Sequence, residues 1–217
     1  MLTDKQIAWA IHQMEDEIGP VKESLKSRTP FQYLISVILS AQATDASVNQ
    51  VTPTLFDRYP DPATLMDANI EDVETIIRRV GLFHNKARNI IKTARIVHED
   101  LHDVIPTDRQ GIMALPGAGR KTANLVLSDI FKQPTFAVDT HVSAISKRLH
   151  FVRQSASTLQ VEQKIVSVLA PEELYQAHHT MIEFGRKYSM KLASDQEVSQ
   201  LIIDCDKLNE ENEGLIQ

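Results

Sequence analysis

The sequence holds a single cysteine, Cys205, among 217 residues, so an intrachain disulfide cannot form. No apolar stretch approaches the ~18 residues that would span a bilayer. No apolar run follows a basic cluster at the start of the chain, so no signal peptide is predicted. Linkers rich in Gly, Ser or Pro are also absent. These absences predict a cytoplasmic protein that does not enter a membrane and forms one large domain or two small ones.

Positive charge is scarce overall but concentrated in one part of the chain. The formal net charge is −6, which taken globally argues mildly against a nucleic-acid partner. Salt confines surface electrostatics to roughly 10 Å, so the local distribution matters more than the sum. The tail from Ser194 onward is strongly acidic, whereas positions 78–121 are mainly basic and are predicted to contact phosphates. The basic residues there are Arg78, Arg79, Lys86, Arg88, Lys92, Arg95, Arg109, Arg120 and Lys121.

Helix-forming patterns cover nearly every segment, and no alternating run bounded by turn signals predicts a strand. Thr3 and Gln6 form a capping-box pattern, Pro30 opens an apolar helix to Ala41, and Asp45 is expected to cap the next helix. Further helices are predicted around Val73–Val80 and Ile90–Val97, and over Asp108–Leu115, Thr122–Phe131, His141–Leu149, Leu159–Leu169, Glu172–Tyr188 and Glu197–Leu208. The fold class is therefore all-α, with a seam between two lobes near 133–135.

The most informative segment is Leu115-Pro116-Gly117-Ala118-Gly119-Arg120-Lys121-Thr122-Ala123-Asn124. Pro116 and Gly117 end one helix, and Gly119 precedes another. A tight turn with two glycines lets bare backbone approach a ligand, and the following helix N-terminus directs unpaired N–H groups outward, which suits a phosphate. An ordinary turn between two helices is the alternative interpretation of the glycines alone.

Two reactive residues follow this turn. Lys121 lies in the first turn of the new helix, and Asp139 follows eighteen residues later in Val138-Asp139-Thr140-His141. A neutral amine near a carboxylate is the pair needed to form an imine at a sugar C1′, with the carboxylate stabilising the developing positive charge. The simpler interpretation of Asp139 is a helix N-cap, worth about 1 kcal/mol.

These segments closely resemble the endonuclease III family of helix-hairpin-helix DNA glycosylases. The resemblance extends over almost the whole chain and is specific because several separate motifs share it. Besides Leu115 to Arg148, it includes Leu39-Ser40-Ala41-Gln42-Ala43-Thr44-Asp45, Gly81-Leu82-Phe83, Asn85-Lys86-Ala87 and Ala137-Val138-Asp139-Thr140-His141.

The resemblance implies a two-lobed fold with a DNA-binding groove between the lobes. A six-helix lobe with the helix-hairpin-helix would cover 22–133, and the second helical lobe would combine 1–21 with 134–217. Lys121 and Asp139 would be catalytic. Gln42 would fill the space left by a base that has flipped out of the duplex, and Leu82 would insert as a wedge into the opposite strand. From the residues alone, Leu82 is interpreted instead as a buried core leucine. The other implied DNA contacts are Leu115, Gly117, Gly119, Arg120, Thr122 and His141.

The implied activity is base excision repair. The enzyme would remove damaged bases, oxidised pyrimidines in the first place, and nick the strand by β-elimination through an imine on Lys121. Its partner would be double-stranded DNA with a damaged base or an abasic site, and a monomer is expected. A second hypothesis is a helix-hairpin-helix DNA-binding module that has lost turnover. The retention of both Lys121 and Asp139 favours the enzyme.

The chain departs from the family at the C-terminal iron–sulfur site. Family members hold a [4Fe–4S] cluster on four cysteines, and the corresponding positions here are Ser189, Gln196, Ser199 and Cys205. One thiolate cannot hold a cluster that needs four protein ligands, so no cofactor is expected. The histidine pair His178–His179 lacks metal-ligand spacing, so no metal site is predicted and the pair is interpreted as polar packing.

We therefore expect the purified protein to be colourless. Its absorption spectrum should lack the iron–sulfur band, and metal analysis should find no stoichiometric iron, because only one of the four required thiolates is present. A brown protein with about four irons per chain would show that the alignment of Ser189, Gln196 and Ser199 is wrong.

Overall fold

A computed structural model describes residues 1–21 and 24–188 of the chain, and the described residues are helices and connecting turns. The helices, in chain order, are α1 Asp4–Ile18, α2 Pro30–Ser40, α3 Asp45–Arg58, α4 Pro62–Met66, α5 Ile70–Ile76, α6 Phe83–Glu99, α7 Arg109–Met113, α8 Arg120–Asp129, α9 Thr140–Arg148, α10 Thr158–Val168 and α11 Leu174–Lys187. The predicted all-α class is confirmed. Within this part of the chain, no helix is long and apolar enough to cross a membrane.

Two compact units divide the described residues, one formed by 1–21 with 134–188 and the other by 24–133. The second unit contains α2 to α8. The two lobes predicted from the sequence, 22–133 and 1–21 with 134–217, include residues outside the described part, so their boundaries stay a prediction. The helix predicted over Glu197–Leu208 also lies outside the described residues.

In the 24–133 unit, α2 is the central helix. Thr29 caps it, Pro30 occupies its first turn, and every residue from Phe31 to Leu39 is buried. A helix that is buried on all sides must be surrounded by other helices, and α2 packs against α3, α6 and α8. Inside this packing the Tyr33 hydroxyl donates a hydrogen bond to Asp129 of α8.

In the unit formed by 1–21 and 134–188, α1, α9, α10 and α11 surround one apolar cluster. The Thr3–Gln6 capping box forms at the start of α1 as predicted. Behind it, Ile7, Ile11 and Met14 are fully buried against residues such as Phe136 and Met181. The cluster therefore joins the beginning of the chain to its later helices.

Three helix predictions differ from the structure. Thr44, not Asp45, caps α3, because the Thr44 hydroxyl accepts the Ser47 amide and Asp45 is already the first helical residue. The helix predicted from Thr122 begins at Arg120. The resemblance implied a six-helix lobe over 22–133. The described residues 24–133 form seven helices, and α4 is the one that the sequence did not predict. Its signal is Asp61 before Pro62, an N-cap followed by proline in the first turn.

The turn between α7 and α8 packs tightly on other helices of its unit. The Thr93 hydroxyl of α6 donates to the Pro116 carbonyl at 3.0 Å. Gly117 adopts the left-handed conformation with φ +83°, and a Cβ there would lie 2.9 Å from Asn89 Nδ2 and 3.0 Å from Ile38 Cγ2. At Gly119, in contrast, φ is −96° and a Cβ would meet nothing within 4 Å. Only the first of these two glycines is required by packing.

The two glycines provide a matched test of this turn. Gly117→Ala should lower the free energy of unfolding by about 2 kcal/mol, because alanine is strained at positive φ and its methyl group is crowded. This corresponds to roughly 4–8 °C in the thermal midpoint of a chain of this size. Gly119→Ala should stay within about 0.5 kcal/mol, since its small loss as an N-cap is offset by the lower entropy of its unfolded chain. Equal thermal midpoints for both variants would contradict the packing at Gly117.

Candidate active site

The helix N-terminus at α8 is open to a ligand. Gly119 is its N-cap and, having no side chain, supplies no side-chain hydrogen bond to the first turn of α8. The space where a Cβ would project from Gly119 is empty to 4 Å. The amides at a helix N-terminus and the positive end of the helix dipole suit an anion such as a backbone phosphate. A phosphate contact at this turn stays a prediction.

Lys121 is the second residue of α8, and its side chain is exposed. Its ammonium makes no hydrogen bond or ion pair with the residues that the structure describes. Arg120 beside it is half-buried and has a bonding partner. The hairpin thus exposes the Lys121 amine to solvent on the first turn of α8.

Two other predicted contact residues of the hairpin are buried. Leu115 is 3% exposed and Thr122 is 7% exposed. Their side chains form part of the interior of the 24–133 unit, so only their backbone could meet DNA. Arg109, counted in the basic segment, donates from Nε to Asn124 Oδ1 at 2.8 Å and stabilises the α7–α8 pair.

Asp139 is the N-cap of α9, in the other unit. One carboxylate oxygen, Oδ1, accepts the Val142 amide at 2.8 Å. The second oxygen accepts no hydrogen bond from the described residues. The buried segment Thr135–Val138 leads directly into this residue, and the Asp139 side chain itself is half-buried. Asp139 is therefore a helix cap with one oxygen still available for chemistry. Its neighbour His141, also half-buried, lies in the first turn of α9.

Gln42 and Leu82 lie together and share an unusual backbone conformation. Both are exposed and left-handed, with φ 54° at Gln42 and 59° at Leu82. The Gln42 carbonyl oxygen lies 3.7 Å from the position of a Cβ on Gly81. Leu82 is 57% exposed, so the core interpretation of this leucine is wrong. Non-glycine residues rarely adopt this conformation, and such strain concentrates at binding and catalytic sites.

Lys86 is buried, although the sequence predicts it to be one of the cations that contact phosphates. It is only 5% exposed, in the first turn of α6. Its Nζ has no hydrogen-bond partner among the described residues. Burial lowers the pKa of the Lys86 ammonium, because desolvation disfavours its charged form. The hydrophobic periodicity of the sequence does not indicate this burial, because it assigns only apolar residues to the interior and Lys86 is charged.

The described residues contain no group of three or more His, Cys, Asp or Glu side chains that could hold a metal ion. The His178 ring packs at right angles to Phe136, with 5.7 Å between the ring centroids, and His179 packs similarly on Tyr175 at 4.8 Å. Packing of this pair within its helix was the predicted arrangement. The positions that the resemblance aligns with the cluster cysteines, Ser189, Gln196, Ser199 and Cys205, lie outside the described residues.

Comparison of the sequence with known proteins gives the same family that the motifs resemble. Residues 35–171 match the family described as HhH-GPD superfamily base excision DNA repair protein. Endonuclease III of Bacillus subtilis (strain 168) is 41% identical over 186 residues, which cover 86% of this chain and 85% of that protein. Endonuclease III of Escherichia coli (strain K12) is 44% identical over 172 residues, covering 79% of this chain and 81% of that protein.

Solved structures agree with the sequence relatives. A trapped endonuclease III–DNA covalent intermediate, an estranged-adenine complex, matches with a TM-score of 0.85 and 44% identity over 87% of this chain and 89% of that one. A thermostable thymine-DNA glycosylase shares the fold at a TM-score of 0.73 and 18% identity, over 83% of this chain and 85% of that one. With a family match over more than half of its length and relatives above 40% identity, the chain belongs to the endonuclease III family, within the helix-hairpin-helix superfamily of base excision DNA repair proteins.

Proposed function

We propose that this protein is a base-excision-repair DNA glycosylase with AP lyase activity, which acts on duplex DNA through Lys121 and Asp139. The observation that carries the proposal is the exposed amine of Lys121, which has no partner among the described residues and lies on the first turn of a helix capped by glycine. The 44% identical endonuclease III has been solved as a trapped covalent intermediate with DNA, which supports covalent chemistry of this kind. The substrate is a damaged base, with oxidised pyrimidines as the first candidates, or an abasic site.

In the proposed mechanism, neutral Lys121 attacks C1′ of the damaged nucleotide while the bond from C1′ to the base breaks. The leaving base takes a proton. Opening of the sugar ring then gives an imine between Lys121 and C1′. Loss of a proton from C2′ moves electrons toward this imine and expels the 3′ phosphate, which cuts the strand. Water finally hydrolyses the imine and regenerates the Lys121 amine.

Asp139 is proposed to act mainly on the first step. Positive charge develops at C1′ as the bond to the base breaks, and a fixed carboxylate stabilises it. The cap hydrogen bond to Val142 holds one oxygen of Asp139 in place. The second oxygen is left to face the reacting sugar and to carry protons.

Two strained residues are proposed to handle the damaged base. Extruding a base from the stack costs a few kcal/mol, and side chains that fill the gap recover part of this. Gln42 and Leu82 are exposed and adjacent in the 24–133 unit. We assign Gln42 to the vacated space and Leu82 to the opposite strand.

This chemistry needs no iron–sulfur cluster, and the sequence does not fit one. Four protein ligands are required, whereas the whole chain contains one cysteine. We therefore propose that the enzyme works as a cluster-free monomer, wherever duplex DNA is present in the cytoplasm or nucleoid. The alternative is a DNA-binding module without turnover. It does not explain why the Lys121 amine has no partner among the described residues and why one oxygen of Asp139 accepts no hydrogen bond from them.

Borohydride trapping on abasic DNA tests the role of Lys121. The unmodified protein should form a covalent adduct, because borohydride reduces the imine to a stable amine. Lys121→Ala should abolish both trapping and strand nicking. Lys121→Arg keeps the cation without a nucleophilic amine, so it should bind DNA about as well and still fail to trap. Lys5→Ala, which removes an exposed lysine of α1 outside the basic segment, should trap normally. Full trapping by Lys121→Ala would remove Lys121 as the nucleophile.

Asp139→Asn separates the two steps of the reaction. Asparagine caps helices about as well as aspartate, so stability should change little. Base excision should fall by orders of magnitude, because the negative charge near C1′ is lost. Nicking of abasic DNA should fall less, since no base remains to be expelled. Single-turnover rates on the two substrates measure this difference, and equal losses on both would count against the role given to Asp139.

A further inference from the structure

The position of the Asp139 carboxylate depends on the backbone on either side of it. Asp139 lies between the buried segment Thr135–Val138 and the first turn of α9. Its own side chain bonds only to the Val142 amide among the described residues, which fixes it relative to α9. Whatever holds residues 137 and 141 therefore determines where the free carboxylate oxygen lies.

His178 of α11 holds the residue two positions before Asp139. The His178 side chain is 2% exposed, and its Nδ1 lies 2.9 Å from the Ala137 carbonyl oxygen. A carbonyl can only accept, so Nδ1 carries the hydrogen and donates it. The same ring packs at right angles to Phe136, one residue earlier. One side chain thus fixes two consecutive residues of the segment that leads to Asp139.

Gly185 of α11 accommodates the residue two positions after Asp139. A Cβ at Gly185 would lie 2.8 Å from the His141 Cβ, 3.0 Å from its Nδ1 and 3.2 Å from its Cγ. Distances under 3.0 Å require one of the atoms to move, and a Cβ is bound directly to the backbone. His141 therefore lies directly against the α11 backbone at a site that only glycine leaves open.

These two contacts come from one face of one helix. Positions 178 and 185 are seven residues apart, so they lie about two turns apart on the same side of α11. That side also packs against α9, which Asp139 caps. We propose that His178 and Gly185 are positioning residues, which hold the backbone on both sides of Asp139 and thereby set its carboxylate for base excision. This inference rests on the proposed function of Asp139.

The alternative is that both residues only fill the interior of their unit. In that case their substitution would lower stability and reduce every activity together. Positioning predicts a selective loss, because misplacing a catalytic group by about 1 Å can lower a rate by as much as 100-fold while folding is retained. The ratio of base excision to abasic-site nicking distinguishes the two, since excision depends more strongly on Asp139.

The test compares His178→Leu with His178→Asn. Leucine removes the hydrogen bond to Ala137, whereas the asparagine amide nitrogen occupies nearly the position of Nδ1 and can still donate. His178→Leu should lower the excision rate about 10- to 100-fold relative to nicking, and His178→Asn should restore most of the loss. His179→Asn makes the same change at the adjacent buried histidine, which packs on Tyr175, and should leave the ratio unchanged. An unchanged ratio in His178→Leu would overturn the proposal.

Gly185→Ala tests the same proposal independently if His178→Leu does not fold. It should lower the same ratio, because the new methyl group displaces His141. Combining either variant with Asp139→Asn should add little further loss of excision, since both changes remove the same contribution. Fully additive losses would indicate a structural role and would contradict positioning.

An NMR measurement distinguishes failure of this inference from failure of the proposed function. The Val142 amide donates to the Asp139 carboxylate, so its resonance reports where that carboxylate lies. If His178→Leu and Gly185→Ala shift this resonance while excision is unchanged, the contacts hold Asp139 but Asp139 is not catalytic. If the resonance does not move, α11 does not position Asp139 and the inference is wrong.

Discussion

The close approach of the Gly117 turn to α2 and α6 is the constraint on which the reactive surface of the 24–133 unit depends. A Cβ on Gly117 would lie only 3.0 Å from Ile38 Cγ2 and 2.9 Å from Asn89 Nδ2, and the left-handed φ of this residue disfavours any side chain. With the Pro116 carbonyl bonded to Thr93, this turn fixes where α8 begins. The direction of its first amides and of the Lys121 side chain follows from that origin. The buried helix α2 is therefore part of the support for the hairpin, although every residue from Phe31 to Leu39 is buried.

Much of the fold was predictable because it depends on local rules. The capping box at Thr3, the N-cap at Asp139 and the proline that opens α2 each require only side chains within three or four residues. The errors were also local. Thr44 and Asp45 are adjacent and both can cap a helix, so the sequence leaves the choice between them to packing. The helix α4 is only five residues long, too short to show any hydrophobic period, and its sole signal was Asp61 before Pro62.

The candidate site was predictable only in part, because its remaining features depend on contacts between distant segments. Lys121 and Asp139 could be identified from their motifs, and each occupies the predicted position in its helix. Nothing near Lys86 in sequence indicates that its ammonium is buried, since burial there is decided by neighbouring helices. The bond from His178 to Ala137 joins residues 41 positions apart. Such relationships emerge only when the fold is known, and here they lie around the residues that motif recognition had already selected.

The left-handed backbone at Gln42 and Leu82 has a thermodynamic consequence. Each such residue costs on the order of 1–2 kcal/mol, and this cost is met once, when the chain folds. The backbone at both residues is consequently ordered in the free protein, so a ligand that contacts these side chains does not carry the entropic cost of ordering a flexible loop. The conformational entropy of these two positions is lost during folding and not in a later binding step.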